Sequence, residues 1–567
     1  MYVTAAVISA IAAIAAFFAR GSDSSPRVSI SNGTVIGTSS DGVDTFLGIP
    51  YAQPPTDSLR LKRPQALSHT FGTIQATSIP RACPPLKVRA DPQMLSQIPP
   101  EIAGHLATYF QEPTFIGEDC LTLNVQRPAS VTPNSKLPVL VWIYGGGFEQ
   151  GSTQQYDFAR LVNTSIALEH PIIVVQMNWR VSAFGFLGGK ELQQDGSTNL
   201  GLRDQRFALQ WIAENIEAFG GDPSRVSIWG ESGGSMSVFD HTMINGGDHT
   251  YNGKPLFRGA ILNSGAVGPA LPVDAAVAQK TYDTIVDTAG CSSSTDTLAC
   301  LRDLPYEAFL NASNVTPNMF NQDGVAVAFT PRPDPSDNFF PVSPDEVLVS
   351  SPPKVAPVPI LAGTMEDEGT LFALALYRAP TKDALIDIIH GIAPTCPRST
   401  FERLFSFYPD EPSHGSPFGT GEANELYPGY KRNAAIAGDL CFAFQHRLLL
   451  EAVSDIIPTW SYLSTYGRQT PLIGTFHGAD VALLATGFID PLYRAMVQYI
   501  VSFVHHLDPN VISKMDGGAR GLPEWPRYGK KNKDMMQFTD QGLQIGKDDF
   551  RQEAFNYFSS QISQMRW

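Results

Sequence analysis

Val226-Ser227-Ile228-Trp229-Gly230-Glu231-Ser232-Gly233-Gly234 reads as a short apolar strand running into a glycine-rich turn with a serine at its tip. The turn contains G-x-S-x-G, and a helical segment follows it. A nucleophile on so sharp a strand-to-helix turn needs small flanking residues, because the backbone there passes close to its neighbours. The pentapeptide by itself also fits an ordinary glycine-rich turn, and a chain with 48 Gly meets the pattern easily by chance. Its surroundings decide the reading.

Working outward, Leu137 to Tyr144 and Ile172 to Met177 are near-continuous apolar runs, as expected of strands covered on both faces. Phe207, Ala208, Trp211, Ile212, Ile216 and Phe219 recur at helical spacing, and Gly220-Gly221-Asp222-Pro223 stops that helix. Further strands are predicted at Gly259–Leu262, at Val358–Leu361 and from Trp460 to Tyr466. Strands spread from about residue 137 to 466, with chemistry-bearing residues at their C-terminal ends, predict an α/β fold built on one wound, mostly parallel sheet with helices on both faces and long loop insertions. Before it, Arg27–Ile30 and Thr34–Ile36 flank Ser31-Asn32-Gly33, which predicts an N-terminal β-hairpin.

Length alone, at 567 residues, suggests about four domains of ~150 residues. No linker-like break or internal repeat interrupts the chain, and the strand pattern replaces four domains with one, residues 20–567. With 43% hydrophobic and 17% charged residues the chain is neither disordered nor a coiled coil. Its formal charge of −15 repels phosphate backbones, so no nucleic-acid partner is expected.

Met1 to Phe18 carries no charged side chain, and small residues around Ala13 to Ala19 offer a cleavage site, so residues 1–19 are expected to be a signal peptide. A short membrane anchor is the competing reading. Sequons at Asn32, Asn163, Asn311 and Asn314 fit a secreted, extracellular glycoprotein. Six Cys are too few for a disulfide-built scaffold. Their spacings contain no C-x-x-C and no H-E-x-x-H occurs, so neither a metal nor a cofactor is expected. Cys396 and Cys441 read equally as a third pair or as two buried thiols.

A serine hydrolase also needs backbone N–H donors aimed at the developing oxyanion. Tyr144-Gly145-Gly146-Gly147-Phe148, at another strand end, supplies a second glycine cluster. The alternative, a phosphate loop, lacks its G-x-x-x-x-G-K-S/T. The base and the acid should follow in the order Ser, Asp/Glu, His. His390, His446, His505 and His506 fall in predicted amphipathic helices and read as packed or surface residues. His414 and His477 lie in loops, and His477 comes shortly after a strand. The acid is one of Glu366, Asp367 and Glu368, among which patterning alone does not choose.

Taken together, these residues resemble the type-B carboxylesterase/lipase family of α/β-hydrolases, with the closest likeness to secreted fungal lipases of the Candida rugosa and Geotrichum kind. The likeness spans nearly the whole mature chain and includes Phe46-Leu47-Gly48-Ile49-Pro50-Tyr51-Ala52, Glu118-Asp119-Cys120-Leu121, the glycine clusters, Asp367-Glu368-Gly369 and Gly474-Thr475-Phe476-His477. The resemblance implies a triad of Ser232, Glu368 and His477. It also implies an oxyanion hole of the N–H groups of Gly146, Gly147 and Gly233, and disulfides Cys83–Cys120 and Cys291–Cys300. Most members carry Ala where this chain has Gly233. Because a backbone N–H does the work there, the chemistry should survive.

The expected reaction is carboxylic ester hydrolysis through an acyl-enzyme, on medium- to long-chain acyl esters. A short-chain or specialised carboxylesterase is the alternative, and a non-catalytic adhesion homologue is a third reading. A neutral His477 base predicts activity falling at acid pH with an apparent pKa near ~6–7. In related lipases the loop closed by the first disulfide is a lid. Here it spans 84–119, with Pro100 to Tyr109 read as an amphipathic helix able to meet a lipid surface, or as a plain surface helix. It holds no Trp of the kind that binds choline by cation–π attraction, so choline esters are not expected substrates.

Overall fold

The computed structural model describes residues 25–87, 92–100, 112–320, 327–486, 491–515 and 521–567. The expected signal peptide, and all but the first residue of the expected lid helix, lie outside them.

An eleven-stranded sheet forms the centre of the molecule. From one edge to the other its strands are Gly542–Lys547, Asp534–Thr539, Thr459–Ser464, Ile360–Met365, Gly259–Asn263, Gly221–Glu231, Leu137–Ile143, Ile173–Met177, Thr122–Pro128, Val43–Pro50 and Thr38–Ser40. The run from Asp534–Thr539 through to Ile173–Met177 is parallel throughout. The outermost pairs on both sides are antiparallel. The sheet is therefore mostly parallel, as expected, but it reaches well beyond the predicted span of 137–466.

The reason for the difference is burial. Ile173–Met177, Gly259–Asn263, Ile360–Met365 and Thr459–Ser464 are buried at every position, because helices cover both faces. Such strands announce themselves as unbroken apolar runs. Thr38–Ser40 is exposed throughout and Gly542–Lys547 is nowhere fully buried, so these edge strands carry no such signal, and in Thr122–Pro128 the buried polar residues Asn124, Gln126 and Arg127 break up the apolar run. The hairpin of Arg27–Ile30 and Gly33–Ile36 forms as expected, turning at Ser31-Asn32. It pairs with Gly72–Gln75 in a separate three-stranded sheet.

The helix expected to end near Phe219 runs over Leu200–Asn215 and tightens to a 3₁₀ turn at Ile216–Phe219. Gly220 closes it at φ 85°, a conformation that favours glycine. One aromatic and aliphatic core runs on both sides of the sheet, with Trp142, Trp229 and Trp460 fully buried in it. Two disulfides form, Cys83–Cys120 and Cys291–Cys300, while Cys396 and Cys441 are free thiols. Among the described residues no helix is long and apolar enough to cross a membrane.

Candidate active site

Parallel strands leave their C-terminal ends on one side of a sheet, so the residues that follow them converge. Ile143, Glu231, Asn263, Met365 and Ser464 end adjacent strands, and the segments beyond them build the site.

Ser232 sits where the Gly221–Glu231 strand turns into the helix Gly233–Met243. Its backbone is at φ 55°, ψ −125°, a strained conformation for a residue with a side chain. Ser232 N–H donates to Asn263 O at 2.9 Å, and its carbonyl accepts from Met236 N–H at 2.9 Å, so neighbours on both sides hold the strain. The flanking glycines are required by space. A Cβ on Gly230 would stand 2.3 Å from Gly234 O, and one on Gly234 would stand 2.1 Å from Ile143 O.

The glycine cluster after Ile143 lies against this turn. A Cβ on Gly145 would be 2.9 Å from Ser232 Cβ, and one on Gly233 would be 3.2 Å from both Gly147 N and Phe148 N. Gly146 and Gly147 have φ of 108° and 62°, which side chains resist. Gly146, Gly147 and Ser232 border one cavity, and Gly147, Ser232 and Gly233 border a second.

The acidic trio separates into three different jobs. Glu366 makes a two-pronged ion pair with Arg468, at 2.6 and 2.7 Å. Asp367 is fully buried and accepts from Ser416 Oγ, Phe418 N–H and Thr475 N–H at 2.7, 2.9 and 2.9 Å. It therefore staples the strand end to the segment just before His477. Burial and neighbouring Glu366 push its carboxyl up to about 6, against the pull of those hydrogen bonds. Glu368 turns its Oε1 to Met365 N–H at 2.7 Å and its Oε2 to His477 Nδ1 at 2.6 Å.

His477 is 3% exposed. An ionised carboxylate only accepts, so the Glu368 contact fixes the neutral ring with its proton on Nδ1 and its lone pair on Nε2. Nε2 lies 3.2 Å from Glu231 Oε1. The ring packs between Phe442, at 4.3 Å, and Phe372, at 5.3 Å between centroids. Burial acts to lower the imidazole pKa, but the carboxylates of Glu368, Glu231 and Asp480 outweigh it and the pKa is raised above 6.5. The other histidines lie elsewhere. His446, for instance, is buried with Nε2 3.0 Å from Ser461 Oγ, and burial drops its pKa to about 4.

Two cavities meet at Ser232. One is bordered by Gln150, Tyr156, Glu231, Phe476 and His477, a mixed polar and aromatic wall. The other is apolar, walled by Met236, Phe372, Ile392, Phe401, Leu440, Phe442, Phe558 and Trp567. Its residues come from the inner faces of helices such as Lys382–Ile392 and Arg398–Phe405. Amphipathic patterning marks such faces as buried but does not tell a cavity wall from a packed core, so this cavity is not legible from patterning. Glu231 was also missed, although it stands inside the G-x-S-x-G. Among the described residues no cluster of His, Cys, Asp and Glu has metal-binding geometry.

Comparison with known proteins places this arrangement. Residues 24–558 match the profile described as the carboxylesterase family. The chain is 45% identical over 540 residues to a protein of Gibberella zeae named secreted triacylglycerol lipase LIP1, covering 94% of this chain and 90% of that one. It is 37% identical over 560 residues to a protein of Diutina rugosa named lipase 4, covering 97% of each. Among solved structures, EstA of Aspergillus niger superposes with a TM-score of 0.79 at 25% identity, covering 96% of this chain and 99% of that one. With the family matched across the whole wound sheet and the elbow that carries Ser232, the chain belongs to the carboxylesterase family.

Proposed function

We propose that this carboxylic ester hydrolase is a secreted lipase/esterase acting on medium- to long-chain acyl esters, with Ser232 as nucleophile, His477 as base and Glu368 as orienting acid. The observation that carries the substrate class is the apolar cavity that opens at Ser232, because an acyl chain placed there leaves water for a wall of aliphatic and aromatic side chains. The names of the Gibberella and Diutina relatives support the same reading.

In the proposed reaction His477 Nε2 takes the Ser232 proton as the alkoxide attacks the ester carbonyl. Glu368 holds the ring with its proton on Nδ1 and stabilises the imidazolium that forms. The N–H groups of Gly146, Gly147 and Gly233 receive the oxyanion, and one such donor is worth about 3 kcal/mol of barrier. His477 then protonates the leaving alcohol, and the same base activates water to release the acid.

We also read 84–119 as a lid. Ile98 packs with Phe320 and Leu371, which border the polar cavity, and Phe115 and Ile116 are exposed apolar residues near its far end. Residues 20–567 are read as one domain behind a signal peptide of residues 1–19, supported by a core that is continuous from Val28 to Met565.

A p-nitrophenyl ester series from acetate to palmitate, with emulsified triglyceride alongside, tests the substrate class. Rising kcat/KM toward decanoate and turnover of the emulsion are expected. Preference for acetate with no activity on emulsion overturns the lipase reading.

A further inference from the structure

Glu149 follows the glycine cluster by two residues and is fully buried. Its side-chain partners among the described residues are backbone N–H groups rather than cations. Oε2 accepts from Met319 N–H at 3.3 Å, Oε1 accepts from Ala328 N–H at 3.0 Å, and Phe329 N–H adds to them. Its own backbone is tied on both sides. Glu149 N–H donates to Gly146 O at 3.1 Å, and its carbonyl accepts from Leu86 N–H at 2.8 Å.

A buried carboxylate without a cation costs several kcal/mol unless hydrogen bonds replace its water. Burial accordingly pushes its carboxyl up to about 8, against the pull of the three N–H bonds. What the acid does is hold two separate points of one segment against the glycine turn. One of those points, Met319, borders both cavities. The space a Cβ would fill on Gly147 is occupied by its sulfur, 2.5 Å away. Met319 is thus the side chain that backs the N–H-bearing turn at Gly147.

Resting on the reading of Ser232 as the nucleophile of ester hydrolysis, we propose that Glu149 is a positioning residue for that reaction: the oxygens of its buried carboxyl seat Met319 against Gly147 and so fix where the Gly147 N–H points. Glu149 does not touch substrate. It acts through Met319, and the energetic signature of acting through another residue is non-additivity.

The test is a double-mutant cycle of Glu149→Gln and Met319→Ala, read as kcat and KM on p-nitrophenyl butyrate. A misdirected donor affects the transition state more than ground-state binding, so each single change lowers kcat by ~10- to 100-fold with KM within about threefold. The double variant falls no further than the worse single. Losses that multiply, or that appear in KM alone, overturn the proposal. Should Glu149→Gln not fold, Glu149→Asp, with the carboxyl retained on a shorter stem, takes its place in the same cycle and is read the same way. Organophosphate labelling of Ser232 in the wild type separates the two failures. An unlabelled, inactive wild type sinks the esterase reading, whereas a labelled, active wild type with additive variants sinks only the role of Glu149.

Discussion

Glu231 Oε1 lies 3.2 Å from His477 Nε2, while Glu368 Oε2 stands 2.6 Å from Nδ1 on the other side of the ring. The imidazole lies between two carboxylates, and only one of them belongs to the proposed triad. Both favour imidazolium, and together with Asp480 they overcome the burial that disfavours it, so the pKa is raised above 6.5.

The proposed base works only when neutral. A raised pKa keeps it protonated to higher pH, so the acid limb of kcat/KM should lie above pH 6.5 rather than centred on it. Stability runs the other way. A histidine with a raised folded pKa contributes stability that is complete below about 6.5, its unfolded value, and lost as pH climbs through the folded one. Glu231→Gln removes one of the attracting charges and should move the limb to lower pH. A pH–rate profile of both proteins on a non-ionising ester checks this, and coincident limbs would refute the electrostatic account.

The proposed nucleophile and acid have separable signatures. Ser232→Ala should abolish organophosphate labelling and lower kcat by ~10⁴-fold or more. Glu368→Gln offers Nδ1 an amide that can donate as well as accept, so the productive tautomer is no longer enforced. It should keep the protein folded yet lower kcat by ~10³- to 10⁴-fold. Equal activity of Glu368→Gln and wild type would exclude Glu368 as the orienting acid.

Glu366 and Asp367 are consecutive acids whose removal should give opposite results. Arg468, the partner of Glu366, is 39% exposed, so Glu366→Gln should cost under ~1 kcal/mol and leave kcat unchanged. Asp367→Ala leaves Thr475 N–H, Phe418 N–H and Ser416 Oγ without their shared acceptor inside the protein. It should cost about 3 kcal/mol and lower kcat, because the segment it staples carries His477. Urea unfolding and kcat measured on the same preparations decide between them.

These three acids also show how far the sequence could be read. Their place at a strand end was legible, because Ile360–Met365 is a buried parallel strand and such strands read as apolar runs. Which acid meets the imidazole was not, since that depends on the turn at Gly369 and on a chain segment about a hundred residues later. Resemblance to the family chose Glu368. The strand carrying Ser232 was legible from one stretch, whereas the edge strand Gly542–Lys547, antiparallel to Asp534–Thr539 at the rim and nowhere fully buried, carries no such signal. Nothing in the pattern around Glu149 and Glu231 marks them out, because their burial and partners come only from tertiary packing.

Gly233 stands where most of the family that the sequence resembles carries Ala. It is the first residue of the helix Gly233–Met243, so replacing it with alanine recovers part of the roughly 1 kcal/mol that glycine costs in a helix interior. The added methyl would lie 3.2 Å from Gly147 N and Phe148 N, a contact that a shift of a few tenths of an ångström relieves. Gly233→Ala should therefore stabilise the protein by ~0.5 kcal/mol and keep kcat within about threefold, because the N–H that would face the oxyanion is unchanged. A large loss of kcat would mean that the Gly147 turn cannot yield.

The apolar cavity makes the strongest claim on substrate length. Ala393 closes the helix Lys382–Ile392, is 3% exposed and borders the cavity, in a different element from Ser232, Glu368 and His477. Ala393→Phe fills that space with a ring. If acyl chains occupy the cavity, each methylene denied its place forfeits about 0.8 kcal/mol of transfer free energy, so displacing two lowers kcat/KM by ~10-fold. The loss should grow from butyrate to decanoate and should be smallest for acetate, whose acyl group ends beside Ser232. A uniform loss at every chain length would indicate that the ring disturbs the site itself, and no loss at decanoate would place the acyl chain in the polar cavity beside Tyr156 and Phe476.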